Sequence, residues 1–145
     1  MIARLVRLGF IGIFVLLVVI QLLPIGRPTP NPATWAEPAW NSPETRALAR
    51  RACFDCHSNE TVWPAYSYVA PVSWLVARNV QRGRHKLNFS EFGTTSNSEQ
   101  ETDDIPKVFR RGSMPPREYL LLHPEARLTA EEMRQLQAGL EASLR

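Results

Sequence analysis

The chain contains two cysteines, and both lie in the run Cys53-Phe54-Asp55-Cys56-His57. This C-x-x-C-H pattern is typical of the covalent attachment of a c-type haem. Each thiol adds to one vinyl group of the porphyrin, and two cysteines three positions apart reach the same edge of the ring. The histidine after the second cysteine is then held beneath the iron, where its imidazole is an axial ligand. The run predicts one covalent haem c with Cys53, Cys56 and His57 as binding residues.

Three other interpretations use the same residues. A structural zinc site is almost always four-coordinate, and His57, directly beside Cys56, would strain a shared tetrahedral site. A dithiol redox motif is expected near a βαβ pattern, whereas residues 46–52 before the motif look helical. A disulfide between the two cysteines would close a very small loop and stabilise little of the chain. Haem attachment is therefore favoured.

An uncharged apolar segment occupies residues 8–25. Its length is at the lower end of what crosses a bilayer as a helix, and every face is apolar, which argues against a buried helix of a soluble protein. Arg4 and Arg7 precede it, and such residues favour the cytoplasmic side. We therefore predict a cytoplasmic N-terminus at residues 1–7, a single transmembrane anchor at residues 8–26, and export of the remaining chain.

Residues 27–42 are predicted to be a linker. Their prolines disfavour helix and favour an extended, semi-rigid spacer. Trp35 and Trp40 within the linker suit either the membrane interface or packing on the folded domain, and the sequence leaves both open. A cleaved signal peptide is an alternative to a retained anchor, but Gly26-Arg27-Pro28 is a poor match to a small-x-small cleavage site.

The remaining residues, 43–145, are predicted to form an all-α domain. Ser42 and Pro43 are residue types preferred at the N-cap and first position of a helix, and this helix leads into the C-x-x-C-H motif. Near the C-terminus, Thr129 and Glu132 have the spacing of a capping box, and the helix they begin is predicted to reach residue 144.

Between these two helices, the pattern predicts a helix from Pro71 to about Arg82, with Gly83 as its stop. Shorter helical pieces are expected at residues 101–111 and 117–122. Basic residues gather at the end of the Pro71 helix and are interpreted as a solvated helix end that complements the dipole, with a docking surface as the alternative. They are Arg78, Arg82, Arg84, His85 and Lys86.

The second axial position of the iron has four candidate ligands: Met114, Met133, His85 and His123. Met114 lies in Gly112-Ser113-Met114-Pro115-Pro116, where the prolines exclude a helix and favour a rigid loop that presents the thioether. Met133 has helical spacing with nearby leucines, which is typical of a core residue. We predict Met114 as the distal ligand, and the two histidines remain alternatives. Methionine opposite histidine raises the reduction potential and leaves no open site, so electron transfer is favoured over catalysis.

Aromatic residues follow the C-x-x-C-H motif in a stretch predicted to be a loop, residues 58–70. Trp63 and Tyr66 are predicted to bind the cofactor, either by covering a porphyrin face or by donating hydrogen bonds to its propionates. The alternative is that they are ordinary core aromatics of a small domain.

The charge of the chain is modest, with a net value of +3 at pH 7. Nucleic-acid binding usually shows as a basic face on a recognisable module, and the sequence contains no such module. We therefore expect no nucleic-acid partner.

Taken together, these motifs resemble the bacterial haem-binding domain family of small, usually membrane-anchored, cytochrome c-like proteins. The resemblance covers about residues 43–144. The resemblance rests on these motifs, in chain order: Cys53-x-x-Cys56-His57-Ser58-Asn59-Glu60-Thr61, Trp63-Pro64, Ala70-Pro71-Val72-Ser73-Trp74, Leu87-Asn88-Phe89-Ser90, and Met114-Pro115 with Tyr119 and His123.

The resemblance implies one haem attached through Cys53 and Cys56, His57 as axial ligand and, by analogy with cytochromes c, Met114 as the distal ligand. It also implies a cytochrome c-like fold, in which the C-terminal helix crosses the N-terminal one. C-type haem is attached outside the cytoplasmic membrane in bacteria, which agrees with an exported domain.

The predicted function is a membrane-anchored monohaem c-type cytochrome that carries single electrons on the outer face of the cytoplasmic membrane. The domain would be periplasmic and tethered to the inner membrane, and we do not expect it to be an enzyme. Expected partners are the membrane and redox proteins or a respiratory or photosynthetic complex. The alternatives are a haem-bearing subunit of a larger membrane redox complex, and a haem sensor or peroxidase with a displaceable distal ligand.

Overall fold

The computed structural model describes residues 1–93 and 105–144, and this part of the chain is helical, with no β-strand. The all-α prediction is therefore confirmed. Two 3₁₀ turns, Ala65–Tyr68 and Pro124–Ala126, accompany seven α-helices among these residues. The helices are α1 Ile2–Leu22, α2 Pro43–Ala52, α3 Phe54–His57, α4 Val72–Lys86, α5 Ile105–Arg110, α6 Arg117–Leu122 and α7 Ala130–Ser143.

The described residues divide into two compact units. The first, which we call the anchor unit, contains Met1–Pro30 and Trp63–Asn79. The second, the motif unit, contains Asn31–Val62 and the described residues from Val80 onward. The C-x-x-C-H motif belongs to the motif unit.

Helix α1 of the anchor unit is long and apolar enough to cross a membrane. It has 21 residues, and its most apolar 18-residue window has a mean hydropathy of 2.6 and is not buried. It begins at Ile2, so Arg4 and Arg7 lie in its first two turns rather than ahead of it. It ends at Leu22, because Pro24 forces the preceding residue into an extended conformation. Helix α1 is a candidate membrane span by its length and composition.

The two long helices of the motif unit begin where their caps predict. The Oγ of Ser42 accepts a hydrogen bond from the Thr45 N–H at 3.1 Å. At α7, Thr129 accepts from the Glu132 N–H at 3.1 Å, and the Glu132 carboxylate accepts from the Thr129 N–H at 2.7 Å. Both halves of the capping box are therefore present, and both predicted helix starts are confirmed.

Helices α2 and α7 pack against each other at a glycine. A Cβ built on Gly139 of α7 would overlap the side chain of Thr45 in α2 and would lie 2.9 Å from its Cβ. Leu48 of α2 and Leu136 and Leu140 of α7 are buried in the same core. The packing of the C-terminal helix on the N-terminal one, which the resemblance to cytochromes c implied, is confirmed.

Aromatic rings complete the core of the motif unit. Trp40 packs on Phe89 with ring centroids 5.2 Å apart, and Phe54 stacks on Phe89 at 5.5 Å. The indole N–H of Trp40 donates to Glu37, whose carboxylate also accepts two hydrogen bonds from Arg46. The end of the predicted linker is therefore part of this core, which settles the placement of Trp40 that the sequence left open.

Replacing Gly139 with alanine is predicted to destabilise the motif unit. The new methyl group meets Thr45 in a packed helix crossing, and overpacking of this kind costs about 1–3 kcal/mol. A loss of stability is diagnostic of the close crossing, because replacing glycine with alanine otherwise stabilises a helix by about 1 kcal/mol. Denaturant unfolding of the full-length protein in detergent, followed by circular dichroism, measures the change.

The control is Gln135→Ala, an exposed position on the same helix, where a surface change is expected to stay within about 0.5 kcal/mol. A Gly139→Ala protein as stable as this control would contradict the close helix crossing.

Candidate haem site

The C-x-x-C-H motif forms a single helical turn at the end of α2. Cys53 closes α2 through a hydrogen bond from its N–H to the Ala49 carbonyl at 2.8 Å, and the N–H of His57 bonds the Cys53 carbonyl at 2.9 Å. Positions three apart lie on one side of a helix, so Cys53 and Cys56 share a face. Phe54 is buried in the core, whereas both cysteines and His57 keep partial solvent access. The turn therefore offers two thiols and an imidazole at the surface of the core.

The imidazole of His57 is oriented by a backbone carbonyl. Its Nδ1 lies 3.0 Å from the carbonyl oxygen of Leu87. Because a carbonyl only accepts hydrogen bonds, Nδ1 carries the proton and Nε2 keeps its lone pair. Burial lowers the pKa of His57, although the carbonyls of Leu87 and Gly83 act in the opposite direction. The neutral ring with a free Nε2 is the form that binds a metal.

Both cysteines are free thiols. Burial raises the pKa of Cys53 to about 12 and that of Cys56 to about 11, and the negative charge of Asp55 also raises the pKa of Cys56. At neutral pH both groups are therefore protonated. Cysteines in dithiol redox motifs have lowered pKa values and react as thiolates, so the electrostatics of this turn do not match that alternative.

Two segments behind His57 hold each other through buried polar groups. The N–H of Phe89 donates to the His57 carbonyl at 2.8 Å, and the N–H of Asn59 donates to Ser90 Oγ at 2.9 Å. The amide of Asn88 donates to Asn59 Oδ1 at 2.9 Å. Asn59, Asn88 and Ser90 are all buried, and buried polar groups of this kind are costly unless paired. The network fixes residues 87–90 against the motif and so positions the carbonyl that orients His57.

Arg84 of α4 also stabilises the residues that follow the motif. Its guanidinium donates to the Ser58 carbonyl at 2.8 Å, to Thr61 Oγ1 at 2.9 Å and to Asn31 Oδ1 at 2.9 Å. The prediction of a solvated helix end is therefore wrong for Arg84, which binds the segment that follows the C-x-x-C-H motif. No local sequence pattern indicates these bonds, because the acceptors are uncharged oxygens of residues more than 20 positions away in the chain.

Gly83 lies inside α4 rather than at its end, so the predicted helix stop is wrong. The helix continues to Lys86. A Cβ on Gly83 would overlap the carbonyl oxygen of Cys56 and lie 2.9 Å from its carbonyl carbon. Glycine is needed here because two backbones approach closely. This contact sets the distance between α4 and the motif.

Helix α6 is also tied to the motif. The hydroxyl of Tyr119 donates to Asp55 Oδ2 at 2.8 Å, and Asp55 Oδ1 accepts from the Val62 N–H at 3.0 Å. Burial and the charge of Asp55 raise the pKa of Tyr119, so the phenol stays protonated and acts as the donor. Tyr119 therefore holds the helix that follows the predicted distal-ligand loop.

Met114 lies in the loop between α5 and α6, and its side chain is 39% exposed. Of the alternative ligands, His123 stacks on Tyr119 with ring centroids 4.1 Å apart, and its Nδ1 pairs with Glu125 at 2.8 Å. His85 is an exposed residue in the last turn of α4. An exposed thioether on a proline-bounded loop fits the role predicted for Met114, which stays a prediction.

The predicted cofactor residues Trp63 and Tyr66 belong to the anchor unit. Both side chains are partly exposed. The indole nitrogens of Trp63 and Trp74 are buried and have no hydrogen-bond acceptor among the described residues, although buried N–H groups are normally paired. The roles of Trp63 and Tyr66 stay predictions.

The donor set of the motif unit fits a covalent haem. Two protonated thiols share one face of a turn, and the histidine beside them presents Nε2 for coordination. Among residues 1–93 and 105–144, no group of three or more His, Cys, Asp and Glu side chains is placed to hold a metal ion. The described residues therefore do not supply the ligands of a structural zinc site.

Replacing Gly83 with alanine is predicted to lower the haem content and to destabilise the protein by about 1–3 kcal/mol. The methyl group would push against the backbone of Cys56, which has no flexible end to move aside. Gln81→Ala, at an exposed position of the same helix, is the control. Haem per chain from the pyridine haemochrome spectrum measures the effect, and equal loading of the two variants would contradict the close approach.

Comparison with known proteins places the chain in a family. The pattern of the haem-binding domain family matches residues 15–142, a range that includes α2 to α6, the C-x-x-C-H motif and most of α7. Neither curated proteins nor solved structures gave a match. The resemblance seen in the sequence is thereby confirmed: the chain belongs to the haem-binding domain family and is a haem protein.

Proposed function

We propose that this protein is a membrane-anchored monohaem c-type cytochrome that carries single electrons on the outer face of the cytoplasmic membrane. In this proposal Cys53 and Cys56 attach the haem through thioethers, and His57 and Met114 are the axial ligands. The observation that carries it is the 3.0 Å contact between His57 Nδ1 and the Leu87 carbonyl. That contact leaves Nε2 of the histidine in the C-x-x-C-H motif ready to coordinate iron.

Each side chain has a distinct task in this account. The thiols of Cys53 and Cys56 would hold the haem, and the imidazole of His57 would occupy one ligand position of its iron. Bound haem supplies a one-electron iron couple. Met114 would occupy the second ligand position and would raise the reduction potential relative to ligation by two histidines. With both positions filled by side chains, no position is left for oxygen or peroxide, so we expect no enzymatic activity.

Helix α1 supports the tethered part of the proposal. Its length and hydropathy suit a single span, and Arg4 and Arg7 near its start favour a cytoplasmic N-terminus. The haem-carrying residues then lie outside the cytoplasm, where c-type haem attachment takes place in bacteria according to the cytochrome c resemblance. A tether raises the effective concentration of a carrier near membrane-bound redox partners.

Carbon monoxide binding tests this function. The reduced wild-type protein is predicted to resist carbon monoxide, because a thioether occupies the distal position. Met114→Ala is predicted to bind carbon monoxide readily and to have a lower midpoint potential. The Soret band after gas addition and a redox titration measure the two effects. Met133→Ala, the control for loss of a methionine that is not a predicted ligand, is expected to behave as wild type.

Rapid carbon monoxide binding by the wild-type protein would contradict the carrier function and favour a haem sensor or peroxidase. If His85→Ala or His123→Ala bound carbon monoxide readily and Met114→Ala did not, that histidine would be the distal ligand. Native purification from membranes shows in addition whether the protein is a subunit of a larger redox complex.

A further inference from the structure

The last turn of α1 is bonded to a segment far along the chain. Gln21, one residue before the end of the helix, donates from Nε2 to the Tyr68 carbonyl at 2.7 Å. Its Oε1 accepts from the Ala70 N–H at 2.9 Å. Both ends of the carboxamide are therefore satisfied by residues 68–70. The polar residue near the C-terminal end of α1 thus holds this segment at the helix end.

A second contact fixes the residues that follow. Gly26, just after α1, has a φ of +60°, and a Cβ built on it would lie 2.6 Å from Trp74 Cα and 2.8 Å from Trp74 Cδ1. The chain leaving α1 therefore turns against the first turn of α4. With Gln21 holding one end and Gly26 the other, residues 68–74 are fixed beside the end of α1.

This segment exposes apolar side chains instead of polar ones. Tyr68 is 57% exposed, Val69 54%, Val72 44% and Leu75 42%. Residues 61–77 contain no charged side chain. A cluster of exposed apolar residues of this kind marks a surface that contacts a partner or a membrane.

The position of residues 68–75 relative to α1 indicates that they contact a membrane and not a protein partner. Twenty-one helical residues span about 31 Å at about 1.5 Å per residue, close to the hydrocarbon thickness of about 30 Å. If α1 spans the bilayer, Gln21 lies at the outer edge of the hydrocarbon. Residues 68–70, within hydrogen-bond distance of Gln21, lie at the same depth.

We propose that residues 68–75 form a second membrane contact, with Tyr68, Val69, Val72 and Leu75 inserted into the outer interface of the bilayer beside α1. The inference rests on the proposed function for the membrane span of α1. Tyrosine is enriched at this depth. The exposed Arg78 that follows, one turn beyond Leu75, is available to lipid phosphates.

Spin labelling of the full-length, haem-loaded protein in phosphatidylethanolamine–phosphatidylglycerol nanodiscs tests this contact. Nitroxides are placed on Val69→Cys and Leu75→Cys, with Phe14→Cys as the reference for the bilayer interior. Glu131→Cys, at an exposed charged position of α7, is the reference for water. Unmodified protein should take up no label, because both native cysteines are consumed in thioethers; labelling of it would instead count against covalent haem attachment.

The labels on Val69 and Leu75 are predicted to be accessible to oxygen and to have lost most of the nickel-chelate accessibility seen at Glu131. Adding Gln21→Leu, which keeps α1 apolar but removes both hydrogen bonds, is predicted to restore nickel accessibility at Val69.

Two results would overturn the contact while leaving the anchor in place. The first is nickel accessibility at Val69 and Leu75 equal to that at Glu131, with Phe14 in lipid. The second is shielding from both reagents, which would show that a protein surface, such as a second copy of this chain, covers the segment. A water-accessible Phe14 would instead show that the proposed membrane span is wrong.

Discussion

The hydrogen bond between His57 Nδ1 and the Leu87 carbonyl is the interaction on which the haem site depends. It joins residues 30 positions apart and fixes the tautomer that leaves Nε2 free for iron. A single-turn helix cannot fix the orientation of the imidazole alone, since the ring can rotate about its side-chain bonds. The buried contacts of Asn59, Asn88 and Ser90 therefore have a clear role: they keep the acceptor carbonyl where the histidine needs it. A buried polar group that loses its hydrogen-bond partner costs about 1–3 kcal/mol, so these contacts also stabilise the site.

Helix α4 contributes twice to this arrangement. Gly83 lets its backbone approach Cys56, and Arg84 binds the residues that follow the motif. The motif is thus held by backbone contact on one side and by charge-assisted hydrogen bonds on another. Its first turn belongs to the anchor unit, where Trp74 meets Gly26. One helix therefore takes part in both functions proposed for the chain, cofactor attachment and membrane association.

The sequence predicts best what is local. The caps at Ser42 and Thr129 and the C-x-x-C-H run carry their information within a few residues, and the helices that follow begin as expected. The predicted helix stop at Gly83 is wrong because the sequence does not distinguish a glycine that ends a helix from a glycine that allows two backbones to approach closely. The bond between Asp55 and Tyr119 spans 64 positions, and no local pattern predicts it. The helix predicted at residues 101–111 is α5 over Ile105–Arg110, and residues 101–104 lie outside the described part of the chain.

The proposed function requires a haem that is bonded to Cys53 and Cys56. Intact-mass spectrometry of the acid-denatured protein, produced in a host with c-type cytochrome maturation, tests it most directly. We expect a polypeptide heavier by the mass of one haem, and a Cys53→Ala/Cys56→Ala protein with no added mass. A wild-type protein with the mass of the bare polypeptide would contradict it.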